Sequence, residues 1–448
     1  MAKILFMSNS GEALPIVYRL RQEGTDAQIY MHSPRMSANY GGIIEKVRLA
    51  GLKAATKKAT HIIFDITRPN SKTPQDLALL KMFGLKMSSP SVFGPVGDKI
   101  KKDHCVIGAS EWSEEIELDR KLGSDIAQKI GMSIAPTVDF KSLKKGVDFL
   151  RNKGAESRWV FKPHNNGDLD LTYVERWTGE LAARLEGDLP GRLGSDHFEY
   201  MLQEVVEGVE LSNEGWWDGN KWVHFNRTFE EKKLMTGNLG PSIGSQNNVV
   251  WIARNPKGLL MEQFHKLEPY LRKANYVGPM DINAIVSEKD HKPYFLEFSP
   301  RLGYDAIYNL LALNMDSLTS FFTQGFNVGF RDEISASQRL SIPPFPYAVP
   351  SLISKYAHDV AIGGKLEDMP WFWAQDVYQR PCGLACAGTD GILGVVTATA
   401  PKMWEAVDEV YARLKRMKIS QDPQYRKDLG VRAEKDFRKL RRWGIEID

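Results

Sequence analysis

The chain has few cysteines and no long apolar run, and each absence excludes a class of protein. Three cysteines in 448 residues cannot form the disulfide framework of a secreted scaffold. Cys382 and Cys386 are spaced like a metal-binding pair, but no second pair or nearby histidine accompanies them, which argues against a zinc site. No apolar run reaches the ~18 residues of a membrane span, so no membrane partner is expected.

An excess of charge of one sign is also missing. The 59 basic and 56 acidic residues leave a formal net charge of +3, which is typical of neither a polyanion-binding nor a membrane-surface protein. The start of the chain, MAKILFMSNSGEALP, contains one lysine and a short apolar run that indicates a first strand rather than a signal peptide. We therefore expect a cytoplasmic protein.

The length predicts two to four domains, and the first of them has a recognisable pattern. KILFMSNS, AQIYMH and THIIFDIT read as strands, and GEALPIVYRLRQEG and DLALLKMFG as the helices between and after them. This alternation predicts a small parallel sheet of the doubly wound kind. Ligands of such sheets bind beyond the carboxyl ends of the strands, here near residues 8–13 and 65–71.

The rest of the chain mixes helices with antiparallel strands. Residues 110–136 have a helical pattern, and a compact α/β stretch follows. The segment YMLQEVVEGVELSNEGWWDGNKWVHFNRTFEEKK predicts antiparallel strands with a hairpin turn at DGN. DINAIVSEKDHKPYFLEF predicts a second hairpin, and the proline-rich SIPPFPYAVP marks the start of a final α/β module.

Carboxylates gather at that second hairpin. In FLEFSPRLG, Glu297, Ser299 and Arg301 alternate along one strand and so point to one face. Asp281 comes from the partner strand, and Asn283 could add a neutral oxygen. Such a face is costly to bury unless its groups meet a metal, a ligand or each other. Two carboxylates suit Mg²⁺ with substrate phosphates, whereas the simpler interpretation is a structural Glu–Arg pair.

Two further elements carry weaker signals. Lys162 ends an apolar strand before a turn-rich loop, where a lysine can reach a phosphate or can simply be solvated. The strand segment from Gln203 to Val206 can present backbone groups to an adenine edge. Glu210, seven residues after Gln203, could accept hydrogen bonds from ribose hydroxyls. Each signal alone is modest.

The order of these elements resembles the ATP-grasp superfamily, and the chain is similar nearly end to end to the glycinamide ribonucleotide synthetases. The similar segments are SVFGP, GMSIAPT, EEKKLMTGNLGPSIGS, EFSPRLGYDA, AGTDGILGVVTATA and QYRKDLGVRA. The resemblance implies an ATP-grasp fold with an N-terminal doubly wound parallel-sheet domain and a C-terminal α/β module. It implies an N-terminal domain at 1–117, a core at 118–137 and 205–335, a lid subdomain at 138–204 and a C-terminal module at 336–448.

The resemblance also assigns roles to residues. The nucleotide would contact Lys162 through its phosphates, Gln203, Glu204 and Val206 through adenine, and Glu210 through ribose. The metal, Mg²⁺ or alternatively Mn²⁺, would be held by Asp281, Glu297 and Ser299. Arg301 would orient a carboxylate or acyl phosphate, and Lys233 or its neighbour Lys232 would lie over the phosphates.

The implied activity is an ATP-dependent carboxylate–amine ligase that acts through an acyl phosphate, with glycine and phosphoribosylamine as the substrates of purine biosynthesis. The chain departs from the family at Ser299 and Asp125, where the family has asparagine and lysine, and in the segments PHNNGDLDL, NSGEAL and RPNSKTPQDLAL. Two alternatives therefore stand: a ligase that uses another nucleotide or a modified-base acceptor, and a non-catalytic nucleotide-binding relative. No other nucleic-acid partner is expected, and both a monomer and a homodimer are compatible with the sequence.

Overall fold

The computed structural model of this chain describes residues 2–153, 157–164, 172–193, 198–347 and 349–447. Strands in this part of the chain form one parallel and three antiparallel sheets. The mixed α/β architecture agrees with the fold class predicted from the sequence. No helix among these residues is long and apolar enough to cross a bilayer. The three cysteines are free thiols.

The N-terminal sheet is parallel, as its alternating pattern predicted. Its strands are β1 (Lys3–Ser8), β2 (Asp26–Met31), β3 (His61–Phe64) and β4 (Cys105–Ile107), in the order β2-β1-β3-β4. The helices are α1 (Leu14–Gln22), α2 (Leu49–Lys58), α3 (Pro74–Met82) and α4 (Phe93–Ile100). Pro15 in the first turn suits the start of α1, and Leu14, Val17 and Leu20 are fully buried against the sheet.

Two helices, α5 (Glu111–Leu118) and α6 (Arg120–Lys129), occupy the stretch that the sequence predicted as helical. The break between them lies at Asp119, which adopts an extended conformation. Its carboxylate accepts the backbone N–H groups of Lys121 and Leu122, both at 3.0 Å. Asp119 therefore ends one helix and caps the next.

A small antiparallel sheet follows, in the range assigned to the lid subdomain. Its strands are β5 (Thr137–Phe140), β6 (Trp159–Pro163), β7 (Tyr173–Val174) and β8 (Tyr200–Glu204), in the order β5-β8-β6-β7. The helices α7 (Leu143–Lys153), α8 (Glu180–Glu186) and α9 (Asp188–Leu193) accompany it. Phe161, Tyr200 and Leu202 are buried in its core. Most of the altered segment PHNNGDLDL, residues 165–171, lies outside the described residues.

The large central sheet is antiparallel, as predicted, and its first strands carry both predicted hairpins. They are β9 (Gly208–Trp217), β10 (Trp222–Met235), β11 (Leu239–Ala253), β12 (Gly278–Ser287) and β13 (Pro293–Ser299). Asp218 closes the β9–β10 turn by accepting the N–H groups of Asn220 and Lys221, both at 2.8 Å. The accompanying helices are α10 (Met261–Lys273), α11 (Ala306–Leu313) and α12 (Leu318–Thr323).

The C-terminal part extends this sheet as well as forming one of its own. The strand β14 (Ile334–Ser341) hydrogen-bonds to β11, so the predicted division at residue 336 falls inside a strand. The remaining strands are β15 (Ala361–Gly363), β16 (Phe372–Ala374), β17 (Val377–Arg380), β18 (Gly383–Cys386), β19 (Ile392–Ala400) and β20 (Lys418–Ile419). The central order is β13-β12-β9-β10-β11-β14-β19-β16, and the last sheet is β17-β18-β15-β20. The helices are α13 (Pro350–Tyr356), α14 (Met403–Arg416) and α15 (Val431–Arg442).

Candidate active site

One face of the central sheet is lined with polar side chains from four adjacent strands. Asp281 of β12 lies opposite Ser299 of β13 and Glu214 of β9. Asn283 lies opposite Glu297 and Ser212 in the same way. Because side chains alternate along a strand, all of these groups project to one side. The full face carries Glu210, Ser212, Glu214, Glu230, Lys232, Asp281, Asn283, Glu297 and Ser299.

The predicted metal ligands Asp281, Glu297 and Ser299 thus come together on this face. Ser212 donates a hydrogen bond to Asp281 Oδ1 at 2.8 Å. Burial, followed by the negative charges of Glu214 and Glu297, raises the pKa of Asp281 well above its usual range. Such a concentration of carboxylates leaves negative charge that a cation would relieve.

A neighbouring amide supplies a further oxygen. Asn283 is buried, and its Oδ1 has no hydrogen-bond partner among the described residues. The described residues hold no cluster of three or more His, Cys, Asp or Glu side chains arranged for a metal. A site of two carboxylates and neutral oxygens, completed by substrate phosphates, matches what Mg²⁺ requires. The donor set therefore fits a magnesium ion that is bound together with a nucleotide.

Glu210, the predicted ribose acceptor, lies in an ionic group on the same face. Its Oε1 accepts hydrogen bonds from Lys232 Nζ at 2.8 Å and from Asn283 Nδ2 at 3.3 Å. Lys232 Nζ also lies 3.6 Å from Glu230. Burial acts to raise the pKa of Glu210, but the nearby Lys232 ammonium outweighs it and the net shift is downward. Within the described part of the chain Lys233 forms no ion pair, so Lys232 is the lysine of this strand that contacts the site carboxylates.

Lys162 approaches the cleft from the small sheet. Its Nζ donates to Gln203 Oε1 at 2.7 Å, which joins two of the predicted nucleotide-binding residues. Burial and then the charge of Arg120 lower the pKa of Lys162 to about 8, although Glu297 and Glu210 oppose the shift. Lys162 therefore lies within electrostatic reach of Glu210, the predicted ribose acceptor, and of Glu297, a predicted metal ligand.

Arg120 is a site residue that the sequence reasoning missed. It begins α6, and its Nη1 donates to the carbonyl oxygen of Pro163 at 2.8 Å, directly beside Lys162. Asp125, where the glycinamide ribonucleotide synthetases have a lysine, is exposed, as are Lys121 and Lys129 of the same helix. No periodic pattern singles out Arg120; the helix-capping Asp119 just before it is the one local signal.

The predicted adenine hinge lies between the small and the central sheets. The N–H of Glu204 donates to Pro136 O at 2.9 Å, and that of Val205 to Arg158 O at 2.8 Å. No such backbone bond from Val206 N–H to another described residue occurs. Val206 N–H is therefore in position to donate to a ligand, while its neighbours hold the segment in place.

Arg301 pairs across the cleft with a residue of α5. Its Nε donates to Glu117 Oε1 at 2.9 Å. Burial would lower the pKa of Arg301, but Glu117, Glu297 and Asp281 raise it overall, so the guanidinium stays charged. The sequence named Arg301 but not its partner Glu117, which is distant in the chain.

Glu214 is the second carboxylate that the sequence reasoning missed. It is buried next to Asp281, and Trp216 Nε1 donates to its Oε2 at 3.1 Å. Burial raises its pKa to about 7. Its signal was present in GVELSNEG, where Glu210, Ser212 and Glu214 alternate as the residues of FLEFSPR do.

The N-terminal domain presents carboxylates beyond the ends of its parallel strands, where a crevice was predicted. Asp65 follows β3 and is fully buried, and burial and then the charge of Glu12 raise its pKa well above the usual range. Ser10 Oγ donates to Glu12 Oε1 at 2.7 Å, and Gly11 N–H donates to Ser8 Oγ at 2.9 Å. The turn after β1 is thus folded so that its acidic side chain faces Asp65.

Residues of α11, of the loop before it and of the C-terminal part approach this acidic turn. Tyr308 donates from its hydroxyl to Glu12 O at 2.6 Å. The Tyr304 hydroxyl is buried, and burial followed by the charge of Asp65 raises its pKa, although Arg301 opposes the shift. Burial and then Asp376 raise the pKa of Asp390 to about 7, with a further contribution from Glu12. We refer to Glu12, Asp65 and Asp390 as the acidic crevice.

Comparison with known proteins supports the fold. The phosphoribosylamine–glycine ligase of Thermotoga maritima matches with a TM-score of 0.68 and 16% identity, covering 95% of this chain and 99% of that one. Biotin carboxylase from Campylobacter jejuni, solved as a β-γ-ATP complex, matches with a TM-score of 0.59 and 12% identity, covering 95% of this chain and 93% of that one. A third match is the biotin carboxylase domain of the Hydrogenobacter thermophilus 2-oxoglutarate carboxylase, solved with MgADP, ADP and bicarbonate. Its TM-score is 0.55 at 13% identity, and the match covers 95% of this chain and 92% of that one. No protein-family profile and no curated protein sequence matches the chain. The predicted ATP-grasp fold is confirmed.

Proposed function

We propose that this chain is an ATP-dependent ligase that joins a carboxylate to an amine through an acyl phosphate. The observation that carries the proposal is the polar face of the central sheet, where Asp281, Glu297 and Ser299 lie beside Glu210 and Lys232. Lys162 and Gln203 complete this cleft from the small sheet. The likeness to biotin carboxylase, which was solved as a β-γ-ATP complex, supports ATP as the nucleotide.

Each group of residues in the cleft has a proposed role that its chemistry suits. Lys162, Lys232 and Arg120 would bind the nucleotide phosphates as cations, while Val206 N–H would donate to adenine and Glu210 would accept from ribose. Asp281, Glu297 and Ser299, with Asn283, would hold Mg²⁺, which when bound neutralises the charge on the transferred phosphoryl group. Mn²⁺ is the alternative ion.

Arg301 would orient the carboxylate that attacks the γ-phosphate. Its Nε donates to Glu117 and its Nη1 donates to Leu302 O at 3.4 Å, so its remaining N–H groups would bind the carboxylate. The carboxylate oxygen attacks the γ-phosphorus and ADP leaves, which gives the acyl phosphate. The amine nitrogen then attacks the acyl carbon, phosphate leaves, and the nitrogen loses a proton to give the amide. Catalysis of this kind depends on positioning and charge rather than on a protein nucleophile.

The substrate pair implied by the family is glycine with phosphoribosylamine, and the acidic crevice favours a second candidate. Glu12 lies near both the buried Asp65 and the partly buried Asp390, and this arrangement suits a protonated amine and its hydroxyl groups and disfavours a phosphate. Arg339, a nearby cation, is already paired with Asp305 through bonds of 2.8 and 2.9 Å. A ligase whose acceptor lacks a free phosphate, such as a modified base, is therefore the alternative.

The test is a screen of amino acids against amine acceptors, read as ADP formed in the presence of ATP and Mg²⁺. Acceptor-dependent ADP release above the rate with ATP alone is expected for a ligase. Nucleotide binding without ADP release from any pair would instead indicate a non-catalytic relative that keeps the fold.

A further inference from the structure

A cavity of about 170 Å³ lies between the first helix and the C-terminal part of the chain. Pro15, Tyr18, Arg19 and Gln22 line it from one stripe of α1, since their spacing places them on a common helix face. The opposite wall is formed by Tyr40, Leu366, Glu367, Pro370 and Phe372. None of the residues assigned above to the nucleotide, the metal or the acidic crevice lines this cavity.

Arg19 brings a positive charge to this apolar space without a counter-charge. Its guanidinium carbon lies 3.2 Å from the centroid of the Trp373 ring. Its Nη2 donates to Phe372 O at 3.4 Å, and no carboxylate of the described residues forms an ion pair with it. Burial lowers the pKa of Arg19 to about 9, so the group is still cationic at neutral pH.

The polar groups at the mouth of the cavity do not neutralise Arg19. Glu367 is exposed, and its carboxylate lies 3.2 Å from Lys365 Nζ. The hydroxyl of Tyr40 donates to Ala374 O at 2.8 Å and is thereby occupied. An arginine carries five N–H donors in a planar fork that matches a carboxylate. Arg19 therefore has donor capacity that no acceptor among the described residues uses.

We propose that this cavity is a binding site for a small monocarboxylate with a flat apolar body. The carboxylate would accept from Arg19, and the body would lie between Tyr18, Phe372 and the prolines. An engineered apolar cavity of about 150 Å³ binds benzene, so an aryl ring fits a space of this size. One cation in apolar walls, with Glu367 at the rim, favours a monoanion over a phosphate dianion.

Benzoate is the probe, and its uncharged isostere benzamide is the matched ligand control. Isothermal titration of the full chain at neutral pH should show saturable binding of benzoate, and at least about tenfold weaker binding of benzamide. Arg19→Gln should weaken benzoate binding at least about tenfold, because it removes the cation and keeps a planar polar group. Arg331→Gln, at an exposed arginine elsewhere, should bind benzoate as the unmodified chain does.

Two more variants distinguish benzoate binding in this cavity from benzoate binding in the nucleotide cleft. Gln22→Trp narrows the mouth of the cavity and keeps Arg19 in the chain, so it should also lose benzoate binding. This variant provides the test if Arg19→Gln folds poorly. Arg301→Lys should keep it, because the cleft carboxylate site is elsewhere. The proposal is overturned if the unmodified chain does not bind benzoate or binds benzamide equally well. It is also overturned if folded Arg19→Gln or Gln22→Trp still binds benzoate, or if Arg301→Lys no longer binds benzoate.

Discussion

Lys162 shows how a single residue can be held ready for a phosphate. Its ammonium has one neutral partner, Gln203 Oε1 at 2.7 Å, and no carboxylate within bonding distance among the described residues. Burial and Arg120 both disfavour its charge, and so its pKa falls to about 8. An anion placed between Lys162 and Arg120 would relieve this penalty. The burial of these two neighbouring cations is thus unfavourable in the free protein and is compensated when a phosphate binds.

Lys162→Ala should weaken ATP binding by roughly 1.5–3 kcal/mol, because it removes a charge-assisted contact. The measurement is nucleotide titration calorimetry. Lys145→Ala, at an exposed lysine of the same small subdomain, is the matched control and should leave the affinity unchanged. Equal affinities in the two variants would mean that the strand lysine is merely solvated.

ATP affinity should also depend on pH through Lys162. A bound phosphate favours the charged lysine, so affinity is fully present below the free-protein pKa of about 8 and falls as pH rises through it. Titrations from neutral pH upward should show this loss in the unmodified chain. In Lys162→Ala the ATP affinity should vary less with pH over that range. A pH dependence as steep as in the unmodified chain would mean that another group causes it.

Glu297→Gln should abolish turnover while the fold stays intact. The amide keeps the shape of the side chain but removes the charge that would hold Mg²⁺ opposite Asn283. ADP formation across a Mg²⁺ titration, with circular dichroism as the fold check, measures both effects. Ser299→Asn is the informative companion, because it supplies a longer carbonyl ligand and should retain turnover. Full activity in Glu297→Gln would remove Glu297 from the metal site.

At the scale of elements, the hairpin of β10 and β11 is anchored by the C-terminal part of the chain. Arg426 is buried, and its guanidinium contacts Glu231 of β10 and binds Asp428 through two bonds of 2.8 Å. Its Nη1 also donates to the carbonyl oxygen of Lys233 at 3.0 Å. These contacts lie on either side of Lys232 in the strand. The segment QYRKDLGVRA therefore positions the lysine that faces Glu210 and Glu230.

Arg426→Gln should destabilise the protein by about 3–5 kcal/mol, because it leaves the buried carboxylate of Glu231 without its partner. Urea denaturation midpoints measure the loss. Arg442→Gln, at an exposed arginine of α15, should change stability by less than about 0.5 kcal/mol. A change in Arg426→Gln no larger than in this control would show that the anchor does not stabilise the hairpin.

Elements with local signals were predictable, whereas contacts between distant segments were not. The DGN turn and the FLEFSPRLG alternation depend on neighbouring residues, and the structure has both hairpins where the sequence indicated them. Arg301 and Glu117 are 184 residues apart, and no local pattern links them. Alternation along β10 puts Lys232 on the same face as Glu230, whereas its hydrogen bond to Glu210 depends on the pairing of β9 with β10. Which of Lys232 and Lys233 lies over a phosphate stays a prediction.

At the scale of the whole molecule, the acidic crevice is assembled from three separate parts of the chain. Glu12 comes from the turn after β1, Asp65 from the end of β3, and Asp390 from the turn before β19. Buried hydrogen bonds hold the parts together: Tyr308 hydroxyl to Glu12 O at 2.6 Å, and Thr389 Oγ1 to Asn39 Oδ1 at 2.8 Å. Of the segments that depart from the glycinamide ribonucleotide synthetases, NSGEAL contributes Glu12 to the crevice, whereas Asp390 lies in the similar segment AGTDGILGVVTATA. We therefore expect Glu12 to be the residue through which the acceptor differs.

Acceptor choice should therefore follow charge. We expect ADP formation with an amino acid to be faster with a hydroxylated primary amine than with its phosphate ester, because an ammonium offsets the negative charge that Glu12 places near Asp65 and Asp390, whereas a phosphate adds to it. Glu12→Gln should narrow this preference by raising KM for the cationic acceptor, while ATP affinity stays unchanged. Robust product formation from glycine and phosphoribosylamine would contradict the divergent acceptor, yet the ligase cleft would stand, since that result still requires Lys162, Glu297 and Arg301 to activate a carboxylate.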